Sequence, residues 1–232
     1  MSATAPWAIN AARAQCSRDL AAIAPDAGPS LWDAEGQFLI RCWTEPHRAY
    51  HCLRHVADMI DALGHLAHAD ARLSENSLLV AHLATWFHDA AYDPRATPGS
   101  NEQRSATLAR DHLHRLGVED ADVDAIEALI LMTIDHAPMS SGPTVDPALL
   151  DAFHDADLWI LSAPGERYRD YARGVREEYA HVPYDVFVAG RSHILHGFLE
   201  RPAIYRTTYA DENWQHRAAT NIERELGSMR LT

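Results

Sequence analysis

The chain has 232 residues, of which 47% are apolar, and a formal net charge of −13. A chain of this length and composition can bury a full hydrophobic core, and the simplest expectation is one domain. The surplus of acidic residues argues against binding to extended nucleic acid or to an anionic membrane, because both need Lys and Arg concentrated on one face.

Helical periodicity recurs along the whole chain, punctuated by Pro, Gly and Asp, and no segment sustains the alternation of a β-strand. The first predicted helices span about 6–24, 31–43 and 48–65, and a fourth, opened by Ser74 or Asn76, carries an apolar run that ends in the stretch 86–91. Further helices are predicted at about 101–115, 121–136, 148–162, 166–181, 185–200 and 211–227, with a polar loop at 138–147. The sequence therefore predicts an all-α fold whose short connections let neighbouring helices pack together.

Cysteine use and the length of the apolar runs bear on the cellular compartment. The three cysteines, Cys16, Cys42 and Cys52, form no C-x-x-C pair and no even-numbered disulfide framework, which is typical of a reducing compartment. No apolar run reaches the roughly 18 residues of a membrane span, and polar residues interrupt the Ala-rich N-terminus before a signal-like segment forms. We expect a cytoplasmic protein without a membrane partner.

The fourth helix ends in Trp86-Phe87-His88-Asp89 and is apolar on nearly every side. This pattern indicates a buried helix, where an ionised carboxylate is tolerated only if it is paired, hydrogen-bonded or bound to a metal. Asp89 is that carboxylate, and His88 offers a nitrogen ligand beside it. For this dipeptide alone, a core Asp hydrogen-bonded to a neutral His is the simpler alternative, so other candidate ligands decide between the two.

Two histidines lie at the edge of the apolar stripe of the third predicted helix. His51 and His55 are four residues apart, so helical geometry projects both from the same side, where a pocket would open. The alternative is a pair of partly buried histidines that only cover the core.

A second interior carboxylate is predicted in the helix at 148–162. Helical spacing places Asp157 on the core-facing stripe with Leu150, Phe153 and Leu161, and assigns a more polar side to Asp151, Asp155 and Ser162. Two buried carboxylates repel each other unless a cation lies between them. Such a cation would have mixed nitrogen and oxygen ligands: one imidazole of the third helix, from His51 or His55, together with His88, Asp89 and Asp157. This set suits a divalent first-row metal and, lacking Cys, argues against a closed structural zinc site.

These residues resemble the signature of the HD superfamily of metal-dependent phosphohydrolases: a His, a His-Asp dipeptide and a distant Asp. Here the matching residues are His55, His88-Asp89 and Asp157. The segment with Tyr50, His51, His55 and Asp58 also resembles the metal-binding segment of cyclic-nucleotide phosphodiesterases. Over most of the chain, further stretches resemble a bacterial group of predicted HD phosphohydrolases: Arg48-Ala-Tyr-His51, Asn101-Glu102 with Ser105-Ala106, Asp155-Ala-Asp157-Leu158, Arg176-Glu-Glu178-Tyr179, Gly190-Arg191, and Arg217 with Asn221.

The resemblance implies one HD-type helical domain over residues 1–232, with its core at about 48–162 and helical additions at both ends. It implies that His55, His88, Asp89 and Asp157 bind a divalent ion (Mn, Mg, Fe, Co, Ni or Zn), that Asp89 also takes part in catalysis, and that His51 is the general acid. The expected activity is hydrolysis of a phosphomonoester or phosphodiester of a nucleotide or another small metabolite by a metal-activated water. The alternatives are a metal-dependent oxygenase on the same scaffold and a regulatory protein that binds metal or nucleotide without turnover.

A second metal ion is not favoured by the resemblance. Some branches of the superfamily carry a His or an acidic residue three positions after the His-Asp pair, where this chain has Tyr92. Glu102, His112 and His136 are the residues that could otherwise build a second site, although ordinary surface or capping roles explain them as well.

Phosphate oxygens need positive groups beyond the metal, and arginine supplies them in proteins. Arg191 continues an apolar stripe and so is predicted to point inward, as a substrate contact or as half of a buried ion pair. Arg48 and Arg54 flank the histidine segment and are candidates for the same role. The expected partner is a small phosphorylated substrate, and association of identical chains stays open.

Overall fold

A computed structural model describes residues 6–136 and 145–229. It is 74% helical and has no strand within those residues, which confirms the all-α prediction. The helices of the described ranges are α1 Pro6–Ile23, α2 Pro29–Trp43, α3 Leu53–Ala69, α4 Glu75–Phe87, α5 Ser100–Arg115, α6 Asp120–Met132, α7 Pro147–Asp157, α8 Gly165–Glu178, α9 Tyr184–Leu199 and α10 Thr208–Met229. A 3-10 helix, Leu158–Ser162, continues directly from α7. Most of the polar loop predicted at 138–147 lies outside the described residues.

The hydrophobic core extends from Cys16 in α1 to Leu226 in α10. α4 runs through it as its sequence predicts, since every residue from Val80 to Phe87 except His82 is buried. Ser74 begins this helix, because its hydroxyl accepts the backbone N–H of Ser77. Of the helices in the described ranges, none combines the length and the apolar character that crossing a membrane requires.

Two buried tryptophans tie the first helices to the end of α4. The indole N–H of Trp43 in α2 donates to the backbone oxygen of Trp86 at 2.8 Å, and that of Trp86 donates to Asp19 in α1 at 2.9 Å. A buried indole N–H needs such an acceptor, so these bonds fix where α1 and α2 lie against α4. The segment that carries His88 and Asp89 is therefore held from both sides.

The third helix begins later than the sequence pattern predicts. It was expected from Arg48, whereas α3 starts at Leu53 and is preceded by Cys52 in an extended conformation. One carboxylate oxygen of Glu178 accepts the backbone N–H groups of Ala49, Tyr50 and His51 at 2.8, 2.8 and 2.9 Å, and this convergence holds the segment in a non-helical turn. His51 thus precedes α3 and does not share a helical face with His55.

Asp155 is buried in the core, not on the polar side to which helical spacing assigned it. Its carboxylate accepts the backbone N–H groups of Arg206 and Thr207 at 2.8 Å each, and the Thr207 hydroxyl at 2.7 Å. These groups lead into α10, so Asp155 anchors the start of that helix. The cost of burying its charge is offset by hydrogen bonds from residues about 50 positions later, which helical spacing around Asp155 cannot predict.

Candidate metal centre

The four predicted ligands come from three parts of the core. His55 lies in the first turn of α3, His88 and Asp89 follow α4 directly, and Asp157 ends α7. Because α4 ends inside the core, the two residues after it stay inside as well: His88 is 1% exposed and Asp89 is 9% exposed. The buried helix predicted from the sequence thus delivers a nitrogen and a carboxylate to the interior.

The side-chain atoms of these residues converge. His55 Nε2 lies 3.1 Å from His88 Nε2 and 3.2 Å from Asp157 Oδ1. His88 Nε2 lies 3.2 Å from Asp89 Oδ2 and 3.8 Å from Asp157 Oδ1. His55, His88 and Asp89 form a group that could hold a metal ion, and Asp157 brings a second carboxylate beside it.

Hydrogen bonds on the far side of each imidazole direct its Nε2 toward this group. His88 Nδ1 donates to the backbone oxygen of Thr85 at 2.9 Å, since a carbonyl oxygen can only accept. His55 Nδ1 lies 3.1 Å from the hydroxyl of Tyr50, which can accept its proton in the same way. Two Nε2 lone pairs and two carboxylates then face one another. This donor set fits a divalent metal. Without a positive charge between them, the lone pairs and the two carboxylates would repel one another.

In the metal-free protein a proton supplies that positive charge. Burial alone would lower the pKa of His88, but the carboxylates of Asp89 and Asp157 outweigh burial and raise this pKa to about 9. Burial would raise the pKa of Asp89, yet the charge of His88 holds it well below its usual range. The pKa of Asp157 is also held low, against burial, by His55, whose Nε2 lies 3.2 Å away, and by the charge of His88. The centre therefore has the electrostatics of one cation between two ionised carboxylates.

His51 reaches the same centre from the turn before α3. Its Nδ1 donates to Glu178 Oε2 at 2.7 Å, and its Nε2 lies 3.9 Å from Asp89 Oδ2. Burial would lower the pKa of His51, but the hydrogen bond and the charge of Glu178 raise it instead. Burial would raise the pKa of Glu178, but the hydrogen bond from His51 lowers it to about 2. The two side chains thus form a partly buried ion pair, to which the Tyr92 hydroxyl adds a 2.8 Å hydrogen bond.

Gly174 lets α8 approach the turn closely enough for Glu178 to accept hydrogen bonds from its backbone and from His51. It is one helical turn before Glu178, and a Cβ at this position would lie 3.1 Å from the backbone nitrogen of Tyr50 and 3.2 Å from the carbonyl carbon of Ala49. A side chain here would push the helix and the turn apart, so the absence of a Cβ is part of how His51 is placed.

Arg48 fixes the turn that carries Asp89. Its guanidinium is buried and donates to the backbone oxygens of His51, Asp89 and Ala90 at 3.1, 2.9 and 3.1 Å. Its Nε also donates to Glu45 at 3.0 Å. Because these bonds use the guanidinium donors within the protein, Arg48 supports the centre by holding the backbone of Asp89 in place rather than by contacting substrate.

The other two predicted substrate arginines lie in different surroundings. Arg54 is about two-fifths exposed, pairs with Asp170 at 3.5 Å and does not line the cavity beside the ligands. Arg191 does line that cavity, and it is buried as the sequence predicts. Its guanidinium donates to Glu225 at 2.8 and 3.2 Å and to the Tyr171 hydroxyl at 2.8 Å. Arg191 is therefore half of a buried ion pair in the cavity wall.

The cavity beside the ligands has a volume of about 250 Å³. On its wall, Glu102 Oε2 and His136 Nδ1 are buried atoms without a hydrogen-bond partner among the described residues. His136 Nε2 lies 3.5 Å from Asp157 Oδ2, and burial lowers the pKa of His136 to about 4. His112 instead pairs with Glu35 at 2.6 Å and is not part of the cavity wall. Two of the three residues considered for a second metal thus face the centre.

No protein-family model, curated protein or solved structure matches this chain. The geometry of the centre is therefore what supports a function.

Sequence reasoning missed the role of Glu178 and the acceptors that orient the imidazoles. A signal for Glu178 exists, because Tyr171 and Gly174 precede it by seven and four residues and all three are buried on one face of α8. An acidic residue on such a face is a candidate for a specific partner. Thr85 has no comparable signal, since its contribution is a backbone carbonyl.

Proposed function

We propose that this protein is a metal-dependent phosphohydrolase of the HD superfamily that acts on a small phosphorylated metabolite. The observation that carries the proposal is the convergence of His55, His88, Asp89 and Asp157 beside His51. Two imidazoles and two carboxylates leave coordination positions for a water and for an oxygen of the substrate, as catalytic rather than structural metal sites do.

The four ligands would hold one divalent ion, and the residues around them keep their donor atoms in place. When bound, such an ion polarises a phosphoryl oxygen and lowers the pKa of a water toward neutrality. The Thr85 carbonyl and the Tyr50 hydroxyl orient the two imidazoles. Arg48 holds the backbone of Asp89. Such supporting bonds are worth roughly 10- to 100-fold in metal affinity or activity.

His51 would protonate the oxygen that leaves with the alcohol. Because Glu178 accepts the Nδ1 proton, the Nε2 of His51 is the atom that faces the centre and donates. A water oxygen forms a new bond to phosphorus as the bond to the leaving oxygen breaks. The leaving oxygen takes the proton of His51 Nε2, and the proton that the water releases restores the protonated imidazole. The buried carboxylate of Glu178 stabilises the protonated imidazole that this step requires.

Metal analysis followed by an activity screen tests the proposal. The full-length protein is assayed for its metal content and then for phosphate release from phosphorylated metabolites with Mn, Mg, Co or Ni. We expect metal-dependent release that is lost in Asp89→Asn and kept in His65→Ala, which replaces an exposed histidine of α3.

Two outcomes would contradict the proposal. Oxygen uptake that depends on bound iron would identify an oxygenase. Tight metal binding without phosphate release from any ester would identify a regulatory or storage role.

A further inference from the structure

A second cavity, a cleft of about 440 Å³ between α8 and α9, lies directly beside the cavity of the metal centre. The two share five wall residues: Tyr50, His51, Tyr171, Arg191 and Ile194. His51, the proposed proton donor, thus stands at the boundary between them. A substrate whose reacting group lies at the ligands has its remaining part beside this cleft.

The rest of the cleft wall is apolar. Its side chains come from α8, from the connection to α9 and from α9 itself: Val175, Tyr179, Val182, Val186 and Phe187. Within this wall Val186 is 57% exposed and Ile194 is 53% exposed, which is high for large apolar side chains. A contiguous exposed apolar surface of this kind is typical of a binding site.

Positive charge is scarce in both cavities. Among the described residues that line them, Arg191 is the one Arg or Lys, and its donors are engaged by Glu225 and Tyr171. Three acidic residues, Asp89, Glu102 and Asp157, line the cavity of the metal centre. A single phosphoryl group can be neutralised by a metal and His51, whereas a second or third phosphate would meet carboxylates without an arginine to bind it.

We infer that the cleft binds the organic part of the substrate, and that this part is an uncharged, mainly apolar group. The substrate class is then a phosphate ester of an apolar alcohol rather than a nucleoside di- or triphosphate. The inference rests on the proposed function, because it takes the phosphoryl group to lie at the metal ligands.

Alkylphosphonates test the cleft separately from catalysis, since their phosphorus–carbon bond resists hydrolysis. Binding of methylphosphonate and hexylphosphonate to the metal-loaded protein is measured by calorimetry. Each methylene that leaves water contributes about fourfold in affinity, so the five additional carbons of the hexyl compound should together strengthen binding by on the order of 10³-fold. Equal affinity of the two compounds, or tighter binding of a nucleoside triphosphate, would overturn the inference.

Two glycines of α9 offer a matched pair of variants. Gly190 lines the cleft and Gly197 does not, while both are exposed and would have nothing within 4 Å of an added Cβ. Gly190→Leu should weaken hexylphosphonate binding by about tenfold and leave methylphosphonate binding unchanged, because the new side chain occupies the cleft. Gly197→Leu should leave both unchanged. A loss for both compounds in Gly190→Leu, or the same loss in Gly197→Leu, contradicts a role of the cleft.

Failure of this inference and failure of the proposed function give different results. Selective binding of hexylphosphonate without hydrolysis of any ester supports the cleft and refutes the hydrolase. Hydrolysis of esters with no preference for apolar groups supports the hydrolase and refutes the cleft. If neither phosphonate binds to the metal-loaded protein and no ester is hydrolysed, both fail.

Discussion

His55 Nε2 and His88 Nε2 face each other across 3.1 Å, with a carboxylate on either side. Each imidazole has its Nδ1 engaged elsewhere, so a single cation is the species that reconciles these atoms. A proton fills that role in the metal-free protein, and a metal ion would take its place. Metal binding and protonation of His88 are therefore competing events.

Metal affinity should fall as the pH falls. The pKa of His88 is about 9 in the metal-free protein, so near neutral pH an incoming ion must displace a proton from Nε2. The apparent Kd should then rise about tenfold for each unit of decreasing pH. Calorimetry in buffers of different ionisation enthalpy should detect about one proton released per ion. A metal affinity that stays constant as the pH falls below this pKa would mean that the ion does not bind at His88.

The histidines on either side of the α3 start should respond differently to substitution. His55→Ala should lose metal and activity together, because it removes a ligand. His51→Ala should keep its metal and lose roughly 10²- to 10⁴-fold in kcat on an alkyl ester, the usual contribution of a general acid. An aryl ester needs less help from a proton and should lose far less. Metal content and kcat on both esters are the measurements, and equal metal loss in the two variants would assign His51 to the ligands.

Replacement of Glu178 by Gln should shift the pH dependence of catalysis. The raised pKa of His51 keeps it protonated to higher pH, and activity is lost as the pH rises through that pKa. In Glu178→Gln the pKa of His51 should move back toward its ordinary value, so the basic limb of the kcat profile should move to lower pH. Metal content should stay at the wild-type level, because Glu178 contacts His51 rather than the ligands. An unchanged basic limb would separate Glu178 from the proton donor.

Arg48 and Arg54 should differ strongly in their effect on stability. Arg48→Ala leaves three backbone oxygens without their donor, and we expect a loss of about 3 kcal/mol in the free energy of unfolding. Arg54→Ala removes a partly exposed side chain with one long ion pair and should change it by less than about 0.5 kcal/mol. Urea unfolding of the metal-free variants measures both values. A similar loss in the two would contradict the role of Arg48 in holding the Asp89 turn.

Local periodicity accounts for what could be predicted from the sequence. α4 is buried because its apolar residues leave no polar face, and Asp157 lies at the centre because it continues the stripe of Phe153. Both features follow from residues within one helix. The same spacing correctly predicts that Arg191 is buried, but its partner Glu225 is 34 residues away and could not be named.

What could not be predicted depends on contacts between distant segments. The non-helical turn at 48–52 exists because Glu178, more than 120 residues later, takes its backbone N–H groups. Asp155 is drawn into the core by Arg206 and Thr207, and helical spacing alone put it on the polar side. In both cases tertiary hydrogen bonds override a pattern that is locally helical.

The hydrogen bond between His51 and Glu178 joins the segment before α3 to a helix that follows all four proposed ligands in the sequence. The proposed ligands all lie between positions 55 and 157, while the carboxylate that holds the proposed proton donor is in α8, 127 residues after His51. In the proposed hydrolase, metal binding and proton donation would therefore depend on different parts of the chain. A side chain at Gly174 that displaces α8 from the turn would therefore leave a protein that still binds its metal but has lost the placement of His51.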